Sequence, residues 1–310
     1  MNEEFSQAMR QALEATRAGD PGAATAIIQS ALGGQPLPAQ APPLKAPPVH
    51  TDARIQSRRH ACSGGARSYR LFVPTRPARG VVLMLHGCTQ TPEDFARGVG
   101  MDALAEDAGF VVAYPAQTAA QNAQSCWNWF LPAHQSRTGG EAEMLANLAR
   151  DLATEFDVGD RIFVAGLSAG GAMAAVLADT HPELFAAIGV HSGLPAGAAQ
   201  DVNAAFAAMR AGGTGRAPRV PAIVFHGTSD TTVSPRNARM LVPGDGIETS
   251  ESGNGRSWTR LTSDTSELWL VKGAGHAWFG GGAGGSYADP KGPGASAEML
   301  RFFDAQGTRT

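Results

Sequence analysis

Cysteine is scarce in this chain, which holds three among 310 residues, at positions 62, 88 and 126. A low and odd count excludes a dense disulfide framework and leaves open one bridge beside one free thiol. An excess of positive charge is missing as well, because 25 Lys and Arg face 28 Asp and Glu. Without a basic field to attract phosphate backbones, we expect no nucleic-acid partner.

Long apolar runs are also absent. A helix needs roughly 20 mainly apolar residues to cross a bilayer, and the run Val81 to Leu85 is far too short, so we expect no membrane span. Residues 1–10, MNEEFSQAMR, carry acids where a secretory signal carries a basic region, and no apolar segment follows them. For the chain as written, we therefore expect a cytoplasmic location.

The first fifty residues predict a separate module. Phe5, Met9 and Leu13 recur every four residues, as in an amphipathic helix. A second short helix is predicted from Ala23 to Leu32, and the six prolines between Pro36 and Pro48 predict a stiff, extended linker. The predicted organisation is a helical hairpin, a Pro-rich linker and one larger domain, at 1–33, 34–50 and 51–310.

From Ser68 onward, apolar runs rich in β-formers alternate with Ala-rich helical stretches. This alternation predicts the α/β class with a mostly parallel sheet, and runs that are apolar at nearly every position predict helices on both faces. The predicted strands are Leu71–Val73, Val81–Leu85, Val111–Tyr114, Ile162–Ala165, Ile223–Phe225 and Leu268–Val271. The predicted helices are Met101–Ala108, Glu141–Phe156 and Gly170–Ala178.

The strongest local signal is the pentapeptide GLSAG at residues 166–170, placed after a predicted strand and before a predicted helix. This context is typical of the nucleophile elbow of α/β-hydrolases, a tight turn that exposes a serine at the carboxyl edge of the sheet. Glycines two residues to either side remove side chains that would collide in such a turn. We therefore predict that Ser168 is a nucleophile rather than part of an ordinary glycine-rich turn.

A serine hydroxyl needs a base to accept its proton, and α/β-hydrolases supply the triad in the chain order Ser, acid, His. His276 follows the last predicted strand, on a loop flanked by small residues, where this fold places its base. The alternatives His181, His191 and His226 are more simply explained as structural or loop histidines. His276 is therefore the predicted base.

The predicted acid is Asp230, which lies just beyond the predicted strand Ile223–Phe225. A carboxylate there would fix the tautomer of His276 and stabilise its imidazolium form. Asp264 and Asp289 also follow the serine in the chain, but neither lies at the carboxyl end of a predicted strand. Both have the pattern of solvated loop acids.

The oxyanion formed by the attack needs two backbone N–H donors. Ala169, directly after the nucleophile, is predicted to supply one. The loop at residues 86–89, HGCT, follows an early strand, and its glycine lets the backbone approach a substrate, so the N–H of Cys88 is the predicted second donor. No other His, Cys, Asp or Glu cluster has metal-ligand spacing, and we expect neither a metal nor a cofactor.

Five segments in order carry a family resemblance: LMLHGCTQTPEDFA, CWNWF, GLSAGGAMA, HGTSDTTV and GAGHAWFGG, the last followed by GSYADPKGP. Over about residues 68–303 the chain resembles the poly(3-hydroxybutyrate) depolymerase family of esterases, which is related to feruloyl and acetylxylan esterases. The resemblance implies the α/β-hydrolase fold. It also implies a nucleophile, an acid, a base and two oxyanion-hole amides, at Ser168, Asp230, His276, Cys88 and Ala169.

The same resemblance implies a disulfide between Cys88 and Cys126, with two separate thiols as the alternative. Trp127, Trp129 and Trp278 would form an aromatic floor beside the serine, suited to an acyl chain or an aromatic ring. Core packing is the alternative for each of these tryptophans.

The function that the resemblance implies is hydrolysis of 3-hydroxybutyrate-type oligomers or polyester through an acyl-enzyme. Hydrolysis of feruloyl or acetylxylan esters is the alternative, and the same triad would also serve a peptidase. Family members are often extracellular, and those that attack solid polymer usually carry a signal peptide and a separate substrate-binding domain. The chain as written shows neither feature, so we expect oligomers rather than solid polymer as the substrate. A further hypothesis is a polymer-granule binding protein whose N-terminal hairpin docks on the polymer surface.

Overall fold

The computed structural model describes residues 52–306, together with Gln7 and Gln11, which are helical and exposed. Apart from those two glutamines, the predicted hairpin 1–33 and the Pro-rich linker 34–50 lie outside the described residues. The division into three segments therefore stays a prediction. No helix within the described part of the chain is long and apolar enough to span a membrane.

The strands of the described residues are β1 (Ile55–Cys62), β2 (Gly65–Phe72), β3 (Gly80–Leu85), β4 (Phe110–Pro115), β5 (Ile162–Leu167), β6 (Ala187–His191), β7 (Ala222–Gly227), β8 (Ile247–Gly253), β9 (Arg256–Thr262), β10 (Ser266–Val271), β11 (Trp278–Phe279) and β12 (Ala288–Asp289). The main sheet has the order β1-β2-β4-β3-β5-β6-β7-β10-β9-β8, and β11 pairs with β12. Its six central strands are parallel, whereas β1, β2, β8 and β9 pair antiparallel at the edges.

The α-helices of the same region are α1 (Pro92–Val99), α2 (Met101–Ala108), α3 (Gly140–Glu155), α4 (Ala169–Thr180), α5 (Val202–Ala211), α6 (Arg236–Leu241) and α7 (Ala295–Ala305), with a short 3₁₀ turn at Pro132–His134. They cover both faces of the sheet and form two apolar cores with it. Helices α3 to α6 contribute to one core, and α1, α2 and α7 contribute to the other. The predicted α/β class is confirmed.

Strand β3 shows why the central strands are apolar throughout. Successive side chains of a strand point to opposite faces, so Val81 and Leu83 enter one core while Val82 and Met84 enter the other. All six residues of this strand are buried. A strand covered by helices on both faces has no solvent-facing side, so polar residues do not alternate with apolar ones along it.

The strands that the sequence does not predict are the edge strands β1, β8 and β9, the short strands β11 and β12, and the central strand β6. Strand β1 alternates exposed with half-buried residues, and β8 is exposed at nearly every position, so neither carries an apolar run. At the ends of predicted strands there are small differences. Val73 lies outside β2, His226 lies inside β7, and His191 is the last residue of β6 rather than a loop residue.

The parallel strands bring four loops to one edge of the sheet. Strands β3, β5, β7 and β10 lie in the block β3-β5-β6-β7-β10, and their carboxyl ends point the same way. The chain leaves these ends toward Cys88, Ser168, Asp230 and His276 respectively. Ligand sites of open α/β sheets form at this edge.

Candidate active site

Ser168 occupies a tight turn between β5 and α4. Its backbone has φ 57° and ψ −117°, in the positive-φ region that a residue with a side chain rarely adopts. The turn is fixed on both sides by hydrogen bonds. The Ser168 N–H donates to the carbonyl of His191 at 2.9 Å, and the Ser168 carbonyl accepts from the N–H of Ala172 at 2.9 Å.

Two glycines permit this turn. A Cβ on Gly170 would collide with the carbonyl of Leu85 and lie 2.7 Å from that of His86. A Cβ on Gly166 would collide with the backbone of Gly170 and lie 2.6 Å from the Leu85 carbonyl oxygen. The glycines of the pentapeptide are therefore required by the close approach of the strand β3 backbone to the turn.

Asp230 and His276, 46 residues apart in the chain, are hydrogen-bonded. The Nδ1 of His276 lies 2.7 Å from the Oδ2 of Asp230, whose side chain is fully buried. The Oδ1 of the same carboxylate accepts from the N–H groups of Thr232 and Val233, at 2.9 and 2.8 Å. The hydrogen bond from Nδ1 to the carboxylate orients the His276 ring and leaves Nε2 available for proton transfer.

A second histidine supports the same carboxylate. The Nε2 of His226 donates to the carbonyl of Val233 at 2.8 Å and lies 3.3 Å from the Oδ2 of Asp230. Burial by itself would raise the pKa of Asp230, but the hydrogen bonds from His226 and His276 outweigh it and hold this pKa well below its ordinary value. Asp230 is therefore ionised at neutral pH.

Ser168 and His276 line the same cavity, which has a volume of about 530 Å³. Among the described residues, no hydrogen bond joins Ser168 Oγ to the His276 ring. Such contacts are often long in an empty site and shorten when substrate binds. The structure therefore brings the three predicted triad residues to one site, with the acid–base pair already formed.

Two backbone N–H groups of the cavity lining have no acceptor in the part of the chain that the structure describes. Within residues 52–306, neither the N–H of Cys88 nor that of Ala169 donates to a protein group. Ala169 is the first residue of α4, where N–H groups have no intrahelical partner. Both residues line the cavity, so both predicted oxyanion donors have an N–H available there.

Cys88 and Cys126 form a disulfide across 38 residues of sequence, which confirms the pairing that the family resemblance implies. Both half-cystines line the cavity. The bridge ties the loop after β3 to the segment 126–130. Cys62 is a free thiol and is half-buried.

The cavity wall is mostly apolar. One side is helix α5, which contributes Val202, Ala205, Phe206 and Met209. The other apolar contributors are Trp129, Phe130, Leu167, Leu194 and Val233, and the polar ones besides Ser168 and His276 are Asn122, Gln124, Thr232 and Tyr287. Such a mixture suits a ligand with an apolar body and a few polar groups.

Only one of the three predicted tryptophans lines the cavity. Trp129 does so and packs edge-on against Phe130, with ring centroids 5.6 Å apart. Trp127 and Trp278 are fully buried in the two cores instead. Trp278 stacks on His191 and donates from Nε1 to Ser296 Oγ at 3.0 Å. We therefore assign only Trp129 to the pocket.

The alternative histidines and acids have other roles. His191 is buried, and its Nε2 accepts from the N–H of Phe279 at 3.2 Å. His181 is buried at the end of α4, outside the cavity lining. Asp264 is exposed as expected, but Asp289 is not a solvated loop acid, because it lies in β12 and pairs with Arg256 at 2.5 Å.

Comparison with known proteins places the chain in a family. The family described as Esterase PHB depolymerase matches residues 67–245, more than half of the chain. The chain belongs to this family. The matched range contains Ser168 and Asp230 and ends before His276.

Three curated relatives are similar to this chain over parts of their length. It is 33% identical over 179 residues to poly(3-hydroxyalkanoate) depolymerase C of Paucimonas lemoignei, covering 52% of this chain and 43% of the relative. It is 32% identical over 249 residues to poly(3-hydroxybutyrate) depolymerase of Ralstonia pickettii, covering 68% of this chain and 51% of the relative. It is 32% identical over 196 residues to probable acetylxylan esterase A of Aspergillus fumigatus, covering 54% of this chain and 51% of the relative.

The chain spans about half the length of the curated relatives it matches. Among solved structures, it is similar to the acetyl xylan esterase from Aspergillus awamori, with a TM-score of 0.63 and 22% identity. That likeness covers 81% of this chain and 98% of the other. It supports the α/β-hydrolase fold.

Sequence reasoning missed the α5 wall of the pocket and its polar rim. Val202, Phe206 and Met209 recur at helical spacing, a signal that also fits a helix turned toward the core. Within the described residues, no group of three or more His, Cys, Asp or Glu side chains could hold a metal ion.

We predict that His191→Gln flattens the dependence of stability on pH. Burial, and then the neighbouring His226 and His276, lower the pKa of His191 well below the 6.5 that is usual for a histidine. The unfolded chain therefore binds a proton below about pH 6.5 that the folded chain does not. As the pH falls below about 6.5, this group should therefore lower the free energy of unfolding by about 1.4 kcal/mol per pH unit.

Urea unfolding at pH 7, 6 and 5 measures this slope. The glutamine amide can accept from Phe279 N–H but cannot be protonated in this range. Phe279→Leu is the control, since it loosens the same packing and keeps the titrating ring. Equal slopes for the wild type and His191→Gln would contradict the prediction.

Proposed function

We propose that the chain is a serine ester hydrolase that works through an acyl-enzyme. The observation that carries the proposal is the convergence of three elements on one cavity. These are a serine at a strained elbow, a histidine hydrogen-bonded at 2.7 Å to a buried carboxylate, and two N–H groups that have no acceptor among the described residues. Family membership supports it.

In the first half-reaction, Ser168 Oγ attacks the ester carbonyl carbon while His276 Nε2 accepts its proton. The carbonyl oxygen becomes an oxyanion, which accepts hydrogen bonds from Cys88 and Ala169 N–H. The oxyanion collapses and breaks the bond to the alcohol oxygen. The alcohol leaves with the proton from His276, and the acyl group stays on Ser168.

In the second half-reaction, water takes the place of the alcohol. His276 removes a proton from the water as its oxygen attacks the acyl carbon, and the same N–H groups stabilise the second oxyanion. Ser168 Oγ leaves and recovers its proton from His276. The ionised Asp230 stabilises the imidazolium that forms in each half-reaction.

For the substrate, we propose short oligomers of 3-hydroxybutyrate type. The apolar wall formed by α5, Trp129 and Leu194 suits the methyl and methylene groups of such a chain, and Asn122, Gln124 and Tyr287 offer polar contacts to further ester carbonyls. Two of the curated relatives are named as polyhydroxyalkanoate depolymerases. A volume of about 530 Å³ accommodates several such units.

Acetylxylan or feruloyl ester hydrolysis is the second candidate. Relatives named acetylxylan esterase support it. An acetyl group, however, would leave most of the cavity and its aromatic wall without contact. We therefore rank the acetyl ester below the longer apolar acyl group.

Docking on a polymer surface by residues 1–33 stays a prediction from the sequence. Apart from Gln7 and Gln11, residues 1–33 lie outside the described part of the chain. Binding to polymer granules of a chain that lacks residues 1–48 would test it, and unchanged binding would remove its support.

We expect Ser168→Ala to lose ester turnover by about 10⁴-fold or more while the fold is kept, because the nucleophile is removed and no buried group is added. Wild type and variant are compared on p-nitrophenyl butyrate, 3-hydroxybutyrate oligomers, methyl ferulate and acetylated xylan, with circular dichroism to check folding. Retained turnover in the variant would refute the proposal. Turnover by the wild type confined to ferulate or xylan would move the substrate to the second candidate.

We expect Phe206→Ala to lower kcat/KM for p-nitrophenyl octanoate by about three- to tenfold, because a longer acyl chain loses an apolar contact. The acetate ester should change by less than about twofold, since it does not reach α5. Met240→Ala, an exposed apolar residue of α6 outside the cavity lining, is the control. An equal loss for octanoate and acetate would contradict the assignment of the acyl wall.

A further inference from the structure

A cluster of buried polar side chains lies behind the loop that carries Cys88. Its members come from distant parts of the chain: Arg67 from β2, Gln117 from the loop after β4, Asn128 from segment 126–130 and Glu141 from the first turn of α3. None of them lines the cavity. Burying an Arg and a Glu costs several kcal/mol per ion unless both are paired and hydrogen-bonded.

Glu141 is the hub of this cluster, and its side chain is 1% exposed. Its Oε1 accepts from Arg67 Nη2, Gln117 Nε2 and Asn128 Nδ2, at 3.1, 2.5 and 2.9 Å. Its Oε2 accepts from the backbone N–H of Asn128 at 2.7 Å. Four donors on one buried carboxylate fix the segments that carry them relative to one another.

Gln117 connects the Glu141 cluster to the disulfide. Its side-chain Nε2 also donates to the carbonyl of Cys126 at 3.0 Å, and its Oε1 accepts from Arg67 Nε at 3.1 Å. Cys126 is bonded through sulfur to Cys88. The Glu141 cluster therefore holds the far end of the bridge whose near end is the oxyanion loop.

Gln117 also reaches the oxyanion loop through His86. The backbone N–H of Gln117 donates to His86 Nε2 at 3.0 Å, so the ring proton must lie on Nδ1. His86 Nδ1 then donates to the carbonyl of Gly87 at 2.7 Å. Burial lowers the pKa of His86, which keeps the ring neutral and this tautomer in place.

The Gly87 carbonyl and the Cys88 N–H belong to the same planar peptide unit. In a trans peptide the two point in opposite directions. A hydrogen bond that fixes the Gly87 oxygen therefore fixes the direction of the Cys88 N–H. Since that N–H is the proposed oxyanion donor, its aim depends on His86 and, through Gln117, on Glu141.

We propose that Glu141 is a positioning residue for the oxyanion hole, acting through Gln117 along two routes: His86 to the Gly87–Cys88 peptide, and Cys126 to the disulfide. This inference rests on the proposed ester hydrolysis. A misplacement of about 1 Å can cost as much as 10²-fold in rate. The loss should fall on the transition state, because the oxyanion exists only there.

The test compares Glu141→Gln, Gln117→Met and a matched control, Glu267→Gln. Glu267 is also buried and accepts from Arg260, Arg301 and Trp269 Nε1, but it lies near the amino end of β10, away from the site. Gln117→Met keeps the backbone N–H that reaches His86 and leaves Glu141 paired with Arg67, so it is the milder change. Each variant is assayed well below its unfolding temperature, per mole of folded protein.

The readouts are kcat and KM for p-nitrophenyl butyrate and the inhibition constant of an alkyl trifluoromethyl ketone, whose serine adduct places an oxyanion in the hole. Glu141→Gln should lower kcat by about 10- to 100-fold and raise the inhibition constant by a similar factor, with KM within about twofold. Gln117→Met should show the same pattern at about three- to tenfold. Glu267→Gln should lose stability with kcat and the inhibition constant unchanged.

Loss of stability with unchanged kcat and unchanged ketone inhibition in the Gln117 and Glu141 variants would overturn the inference and leave the cluster a structural one. If Glu141→Gln does not fold, Gln117→Met decides alone. Failure of the proposed function has a different signature, since the wild type itself would then show no turnover that Ser168→Ala removes.

Discussion

The close approach of two backbones at the carboxyl edge of the sheet is the constraint on which the site depends. The turn at Ser168 lies so near the end of β3 that Gly166 and Gly170 leave no room for a Cβ. This contact sets the nucleophile beside the loop that carries Cys88. The strained backbone of Ser168 persists because its hydrogen bonds to His191 of β6 and to Ala172 of α4 over-determine it.

Buried carboxylates organise the rest of the edge. Asp230 and Glu141 are both buried, and each accepts from several donors, which offsets the cost of removing a charge from water. Asp230 orients the ring of His276, and Glu141 lies behind the disulfide and the oxyanion loop. One apolar side of the cavity comes from α5, an element that carries none of the triad.

The parts of the site that the sequence predicts are those with local determinants. Gly166, Ser168 and Gly170 lie within five residues, and the order of strands places Asp230 and His276 at the same edge. The Glu141 cluster has no such signal, because its partner Arg67 is 74 residues away and single buried polar residues follow no period. The tryptophans of the motifs were ambiguous for a similar reason, since only the packing shows that Trp127 and Trp278 enter the cores.

The central claim is that Ser168 becomes covalently acylated, and the most direct measurement is mass spectrometry of the protein after reaction with an alkyl fluorophosphonate, a reagent that traps activated serines. The account predicts one adduct per chain, located on the peptide that contains Ser168, with ester turnover lost in proportion to labelling. An adduct on a different residue, or full turnover in a completely labelled protein, would contradict it.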